Sequence, residues 1–197
     1  MRIVTALIVL AFLLGAAVVP AIAQEGTEAQ AQAEQDAWMK AAQVGIHHAH
    51  LKALAGSWEY TSKMWESPSA PPTESKGTCE RSMILGDRYL YEDYKGDFMG
   101  MPFNGIGITG YDNINEQYQS AWMDNMSTAI MTGSGTCSDD GKKLTMKMFY
   151  TDPMTKKTGT MRMVSTLTDP TTQLSEYYGE GPDGTEFKMM EFTMTRK

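Results

Sequence analysis

From Trp58 onward the hydrophobic and polar positions alternate with a period of two, and turn signals interrupt the alternation about every ten residues. The interruptions are "SPSAPPTES", "GD" at 86–87, "GDFMGMP", "DNIN", "SDDG", "TDPMTKKTG", "TDPTT" and "GEGPDG". Between them the chain is rich in Thr, Tyr, Phe, Met and Val, which predicts ten strands: 57–66, 76–85, 88–97, 103–111, 116–124, 127–137, 142–151, 159–168, 172–179 and 185–195. No helix-length insert separates consecutive strands, so neighbours run antiparallel. The predicted fold is all-β, an antiparallel up-and-down barrel of about ten strands with a short N-terminal helix; closure removes the exposed edges of so long a sheet.

Alternation also predicts faces. Leu144, Met146, Met148 and Tyr150 share one side of their strand, and Met161, Met163, Ser165 and Leu167 share one side of the next. Tyr118, Ser120 and Trp122 form a third such group, and Met190, Phe192 and Met194 a fourth. A barrel of this size is filled by side chains or holds one small ligand.

The segment before the strands reads differently. Residues 24–36 are Ala, Gln and Glu with little to bury, and predict a flexible or partly helical leader reaching to residue 46. A short helix follows from about His47 to Ala55 and stops at Gly56. Upstream, Arg2, the apolar run Ile3–Val19 and the Ala21-Ile22-Ala23 site read as a secretory signal peptide, residues 1–23, cleaved before Gln24. The expected domain is then 47–197, and the expected location is periplasmic or secreted, with no membrane span after processing. Removing Arg2 from the 17 basic residues leaves 16 against 24 acidic ones, a net charge of −8. That balance, without any basic stripe, speaks against nucleic acid and against anionic membrane surfaces. Two cysteines in an exported chain, Cys79 and Cys137, form a candidate disulfide, with two buried thiols as the alternative.

Three constellations bear on chemistry. Gly105, Gly107 and Gly110 in "GIGITG" match the letters of the dinucleotide fingerprint. That motif needs a helix after it to receive the phosphates, whereas a turn and another strand follow here. The glycines therefore read as structural, with Gly105 and Gly107 on one face, leaving room for a neighbouring backbone, a large side chain or a ligand. The histidines all lie in "HHAH"; His47 and His50, one helical turn apart, are a candidate metal pair, and 16 methionines beyond Met1 would suit copper(I). Capping histidines and methionine as adaptable core filling are the simpler reading. Glu80, Glu92, Asp93 and Asp124 are scattered carboxylates that would serve acid–base chemistry only if two faced inward. No nucleophile elbow or metalloprotease motif occurs, so an enzyme is not the favoured class.

"LAGSWEY" carries Gly56-Ser57-Trp58 directly after the short helix and resembles the lipocalin G-x-W signature. The resemblance narrows to the bacterial domain-of-unknown-function family DUF1579, a lipocalin-like barrel. It rests on His48, Leu51, Leu54, Gly56 and Trp58, on "ILGDRYL", "MGMPFNGIGITGYDN" and "WMDNMST", and on "PDGTEFKMMEFTMTRK". The two cysteines and the Ala/Gln leader depart from the family's pattern. The resemblance implies the barrel but no activity and no cofactor, since fold does not fix function. It also implies that Arg196 covers Trp58 in a cation–π contact at the closed end.

The reading that follows is an exported lipocalin-like protein that binds a small, largely apolar ligand. Its candidate pocket is Met101, Phe103 and Tyr111 on one strand, Trp122 on the next, and Met146, Met148 and Met163 beyond. A ligandless interaction module forming a homodimer through an exterior face, and a His/Met copper binder, are the alternatives.

Overall fold

A computed structural model describes residues 21–181 and 183–197. Ten strands form: β1 (Gly56–Met64), β2 (Thr73–Ile84), β3 (Tyr89–Phe98), β4 (Met101–Asp112), β5 (Gln117–Asp124), β6 (Met131–Cys137), β7 (Lys143–Thr151), β8 (Thr158–Asp169), β9 (Thr172–Glu180) and β10 (Glu186–Arg196). Each pairs antiparallel with its successor, and β1 pairs with β10 to close the barrel. The largest departure from the sequence expectation is β6, which begins at Met131 rather than 127. The Asp124 carboxylate explains it, because Oδ1 accepts the N–H groups of Met126 and Ser127 and holds those residues in the turn.

The same device recurs around the barrel. Asp97, Asp112, Asp140, Asp152, Asp169 and Asp183 each accept a backbone N–H two or three residues on, which fixes the turn through contacts within it. The "GD", "DN", "DD", "TDP" and "PDG" signals of the sequence are these side chains at work.

Among the described residues, two helices precede the barrel. Helix α1 (Ala21–Ala41) covers the described part of a unit that ends at Lys40 and runs one residue past it. The Ala/Gln leader is therefore helical throughout its first part, as its high helix propensity allows, and Gln32 donates to Asp36 one turn on, 2.8 Å away. The signal-peptide reading falls mainly on residues 1–20, outside the described residues. Among the described residues, no helix is long and apolar enough to cross a membrane.

The second unit, Ala41–Lys197, holds helix α2 (Ile46–Lys52) against β2, β3 and β4 at one end of the barrel. Leu51 enters the core, and buried His48 accepts the Gly45 N–H on Nδ1 at 3.1 Å. This histidine is thus a cap of its helix. Just beyond α2, Trp58 is 0 % exposed and donates its indole N–H to the Leu54 carbonyl at 2.9 Å. The Arg196 guanidinium lies over its ring at 4.4 Å and donates to the carbonyls of Ala53 and Ala55. One side chain of the last strand thereby ties down the first strand and the end of the helix.

The candidate disulfide is corrected. Cys79 and Cys137 are both free thiols. Cys79 on β2 packs with Trp58, Tyr60, Tyr94 and Met194, whereas Cys137 on β6 packs against the separate cluster of Leu51, Leu90 and Tyr118. Three strands, β3, β4 and β5, separate them the shorter way around the barrel, so sequence alternation placed each side chain in the core but could not give the distance between them.

Two predictions follow from the turns and the closure. Donors within their own turns hold Asp112, Asp140, Asp152, Asp169 and Asp183 below the ordinary aspartate range. The unfolded chain therefore takes up protons first, and the stability these turns contribute is complete above about pH 4 and lost as pH falls through the lower folded values. Denaturant midpoints measured from pH 7 to pH 3 should fall only in the acid limb; a flat profile would refute the assignment. Replacing Arg196 by Ala should destabilise the barrel by about 2–3 kcal/mol, from the lost charged hydrogen bonds and ring contact. Urea unfolding checks this, with Arg196→Lys intermediate.

Candidate functional site

The "GIGITG" run occupies β4, and its register explains its glycines. Gly105 lies between Tyr94 of β3 and Asp124 of β5, and Gly107 between Glu92 and Trp122. A Cβ at Gly105 would stand 2.5 Å from the Trp122 ring, and one at Gly107 would stand 3.0 Å from Glu92 Oε2. An indole and a carboxylate use the space that the missing side chains leave. The indole is indexed by its N–H, which donates to Asp124 Oδ2 at 2.8 Å. Gly110 accommodates the ring of Tyr89, 2.5 Å from where its Cβ would stand.

Below Trp122 the barrel encloses a cavity of about 310 Å³ that reaches from Leu51 and Leu54 at the α2 end to Met64, Phe98 and Met126 at the other. Its two sides differ in chemistry. One is apolar and soft, built from Met131 of β6, Met146 and Met148 of β7, and Met161 and Met163 of β8. The other is polar and centres on Arg81 of β2, only 7 % exposed. Arg81 Nε lies 2.8 Å from Glu92 Oε1, an ion pair whose N–H is not aligned for a hydrogen bond. Its terminal nitrogens donate to Gln173 Oε1 at 2.5 Å and the Tyr94 hydroxyl at 3.1 Å, and one lies 3.0 Å from the Met194 sulfur. Gln173 in turn donates to Ser165 Oγ at 2.7 Å, as does Ser175 at 2.9 Å. The Arg81 guanidinium also faces the Trp58 ring at 5.1 Å, on a residue whose ring Arg196 contacts as well.

This network fixes protonation states. Burial works against the charge on Arg81, but Tyr94 and Glu92 more than offset it and hold the guanidinium above its ordinary value. Burial, reinforced by the Glu92 charge, pushes the Cys79 thiol up to about 12 and raises the hydroxyls of Tyr94 and Tyr177. The polar side therefore keeps its guanidinium charged, with a neutral thiol and neutral tyrosine hydroxyls around it.

Of the candidate pocket residues, Phe103, Trp122, Met146, Met148 and Met163 line the cavity. Met101 and Tyr111 do not. Both share the inward parity of β4 but lie at its ends: Met101 is half exposed at the first residue of the strand, and Tyr111 at the far end stacks on His47, ring centroids 3.8 Å apart. The histidine pair converges on a hydroxyl. The Nδ1 atoms of His47 and His50 both face the Tyr118 hydroxyl, at 3.3 and 3.5 Å. Among the described residues, no group of three or more His, Cys, Asp or Glu could hold a metal. Of the scattered carboxylates, Glu92 and Asp124 reach the cavity, while Glu80 accepts from Ser57 and Asp93 pairs with Lys95 outside it.

Sequence reasoning missed Arg81, Gln173, Ser175 and Tyr177. The available signal was parity. Arg81 alternates with Cys79 and Met83, and a charged residue in register with inward apolar neighbours marks a buried charge that needs partners.

The family described as Protein of unknown function (DUF1579) matches residues 43–196, and the chain belongs to it. No curated protein matches the sequence. Among solved structures, Rv2717c from M. tuberculosis is similar in fold, with a TM-score of 0.59 and 12% identity over 79% of this chain and 99% of that one. The S-type phycobiliprotein lyase CPES from Guillardia theta is similar with a TM-score of 0.54 and 11% identity, over 76% and 91% of the two chains.

The glycine at 105 is testable. Gly105→Ala should drive the Trp122 indole from its place over β4, break its bond to Asp124, and cost about 1–3 kcal/mol, the usual range for overpacking. Near-ultraviolet circular dichroism and urea unfolding report both effects; unchanged spectra and midpoint would show that the indole does not need the glycine.

Proposed function

We propose that this DUF1579 barrel is an exported binding protein that holds a small, largely apolar ligand in its interior. The observation that carries the reading is the cavity of about 310 Å³, at the lower end of the range of about 300–1,000 Å³ for small-molecule sites. Thioethers from Met131, Met146, Met148, Met161 and Met163 line its apolar side. Methionine is unbranched and polarizable, so such a wall can mould itself to a ligand, and each buried CH₂ contributes about 0.8 kcal/mol. The end away from α2 supplies an entrance. Met99, Met126, Ile130 and Met154 stand exposed on the turns there, Met154 at 89 %, and give an apolar molecule a first foothold. The fold shared with a protein named a phycobiliprotein lyase also supports a barrel that handles a small molecule.

Export is part of the proposal and rests on the leader at residues 1–23. Two separated, unpaired thiols raise no obstacle in an oxidising compartment, because neither can reach the other within the fold.

Native mass spectrometry of the protein purified from its own host tests both parts at once. The expected result is a polypeptide beginning at Gln24 that carries an extra small-molecule mass, removable by organic extraction and restored by host lipid extract. A bare polypeptide that takes up nothing from the extract would overturn the binding reading. A mature chain retaining Met1 would overturn export.

A further inference from the structure

Resting on the binding reading, we propose that the ligand is an uncharged amphiphile headed by a hydroxyl group, seated between Glu92 and Tyr177 with its apolar body against the methionine wall.

A carboxylate-headed ligand needs an uncommitted cation, and Arg81 is not one. Glu92 balances it at 2.8 Å, and Gln173 and Tyr94 take its terminal donors. A carboxylate entering this site would add a second negative charge beside Glu92 in a buried setting, which is costly without a new partner. An ammonium would meet Glu92 but also the guanidinium already bound to it. The cavity's other carboxylate, Asp124, is already taken by the Trp122 indole and the N–H groups of Met126 and Ser127, so a neutral head is the one that leaves the Arg81–Glu92 pair undisturbed.

The hydrogen-bonding capacity left over selects among neutral heads. Glu92 Oε1 faces Arg81 and accepts from the Tyr94 hydroxyl at 3.3 Å. Oε2 has no donor among the described residues. It stays open because residue 107 is glycine, whose Cβ would stand 3.0 Å away. Tyr177 lines the same cavity, and its hydroxyl also lacks a partner among the described residues. Its own proton stays on it, because burial and then the Glu92 charge raise its pKa. The site thus offers one strong acceptor and one neutral donor. A ligand hydroxyl satisfies both, donating to Glu92 and accepting from Tyr177. An ester or ketone can only accept and leaves the carboxylate unanswered.

Calorimetry at neutral pH on the mature protein with octan-1-ol, octanoate and octylammonium tests the head group at constant chain length. Octanol should bind at least about ten-fold more tightly than either ion, the size of effect that one unanswered charge or hydrogen bond produces. Glu92→Gln should invert the order of octanol and octanoate by freeing Arg81. Tyr177→Phe, which keeps the ring and the packing, should weaken octanol several-fold. The assignment is overturned if octanoate or octylammonium equals octanol on the unaltered protein, or if Tyr177→Phe leaves octanol binding unchanged; either result leaves the binding reading standing. It is overturned too if no probe binds while host lipid extract still loads the barrel. If neither the probes nor the extract load it, the binding reading falls as well.

Discussion

A guanidinium buried inside a barrel sets the terms for everything around it. Removing the partner of a buried charge typically costs about 3–5 kcal/mol, so Arg81 can lie in the interior only with Glu92, Gln173 and Tyr94 in place. Those partners come from β3 and β9, on both sides of the β1–β10 closure. Arg81 therefore needs the closed barrel. Its guanidinium also faces Trp58, whose ring is contacted by the Arg196 guanidinium that binds the end of α2. The seam between the first and last strands, the helix at the end and the polar side of the cavity are parts of one arrangement. The cavity itself follows from the mismatch between its sides: hydrogen-bonded polar side chains hold one another in fixed positions, and flexible thioethers face them without filling the remaining volume.

What could be read from the sequence was whatever depends on local pattern. All ten strands were legible, because alternation and aspartate turns are properties of neighbouring residues. The inward faces of β5, β7, β8 and β10 were legible for the same reason. Parity failed where position along the barrel axis mattered. Met101 and Tyr111 have the inward parity of Phe103, yet one stands at the mouth and the other lies under α2 against His47. Alternation tells which way a residue points but not how deep in the barrel it lies. The polar network was hidden by sequence distance, since Arg81 and Gln173 are 92 residues apart and become neighbours only on closure. The disulfide expectation failed for the related reason that two inward cysteines need not be close ones.

The glycine run shows how a motif acquires meaning from its context. Its spacing matches a phosphate loop, and a phosphate loop works through backbone N–H groups aimed at an anion at a helix N-terminus. In β4 those N–H groups belong to ladders with β3 and β5, and what the glycines contribute is absence of bulk. At Gly105 that absence receives an indole; at Gly107 it leaves one oxygen of a half-buried carboxylate uncovered. The second case has the larger consequence. A site whose one guanidinium is already paired discriminates by hydrogen bonds, and such a site rejects ligands that leave its polar groups unpaired far more strongly than a purely apolar pocket rejects a change in size. The methionine side then governs how large an apolar body can fit, and the Arg81–Glu92 side governs which polar end can accompany it.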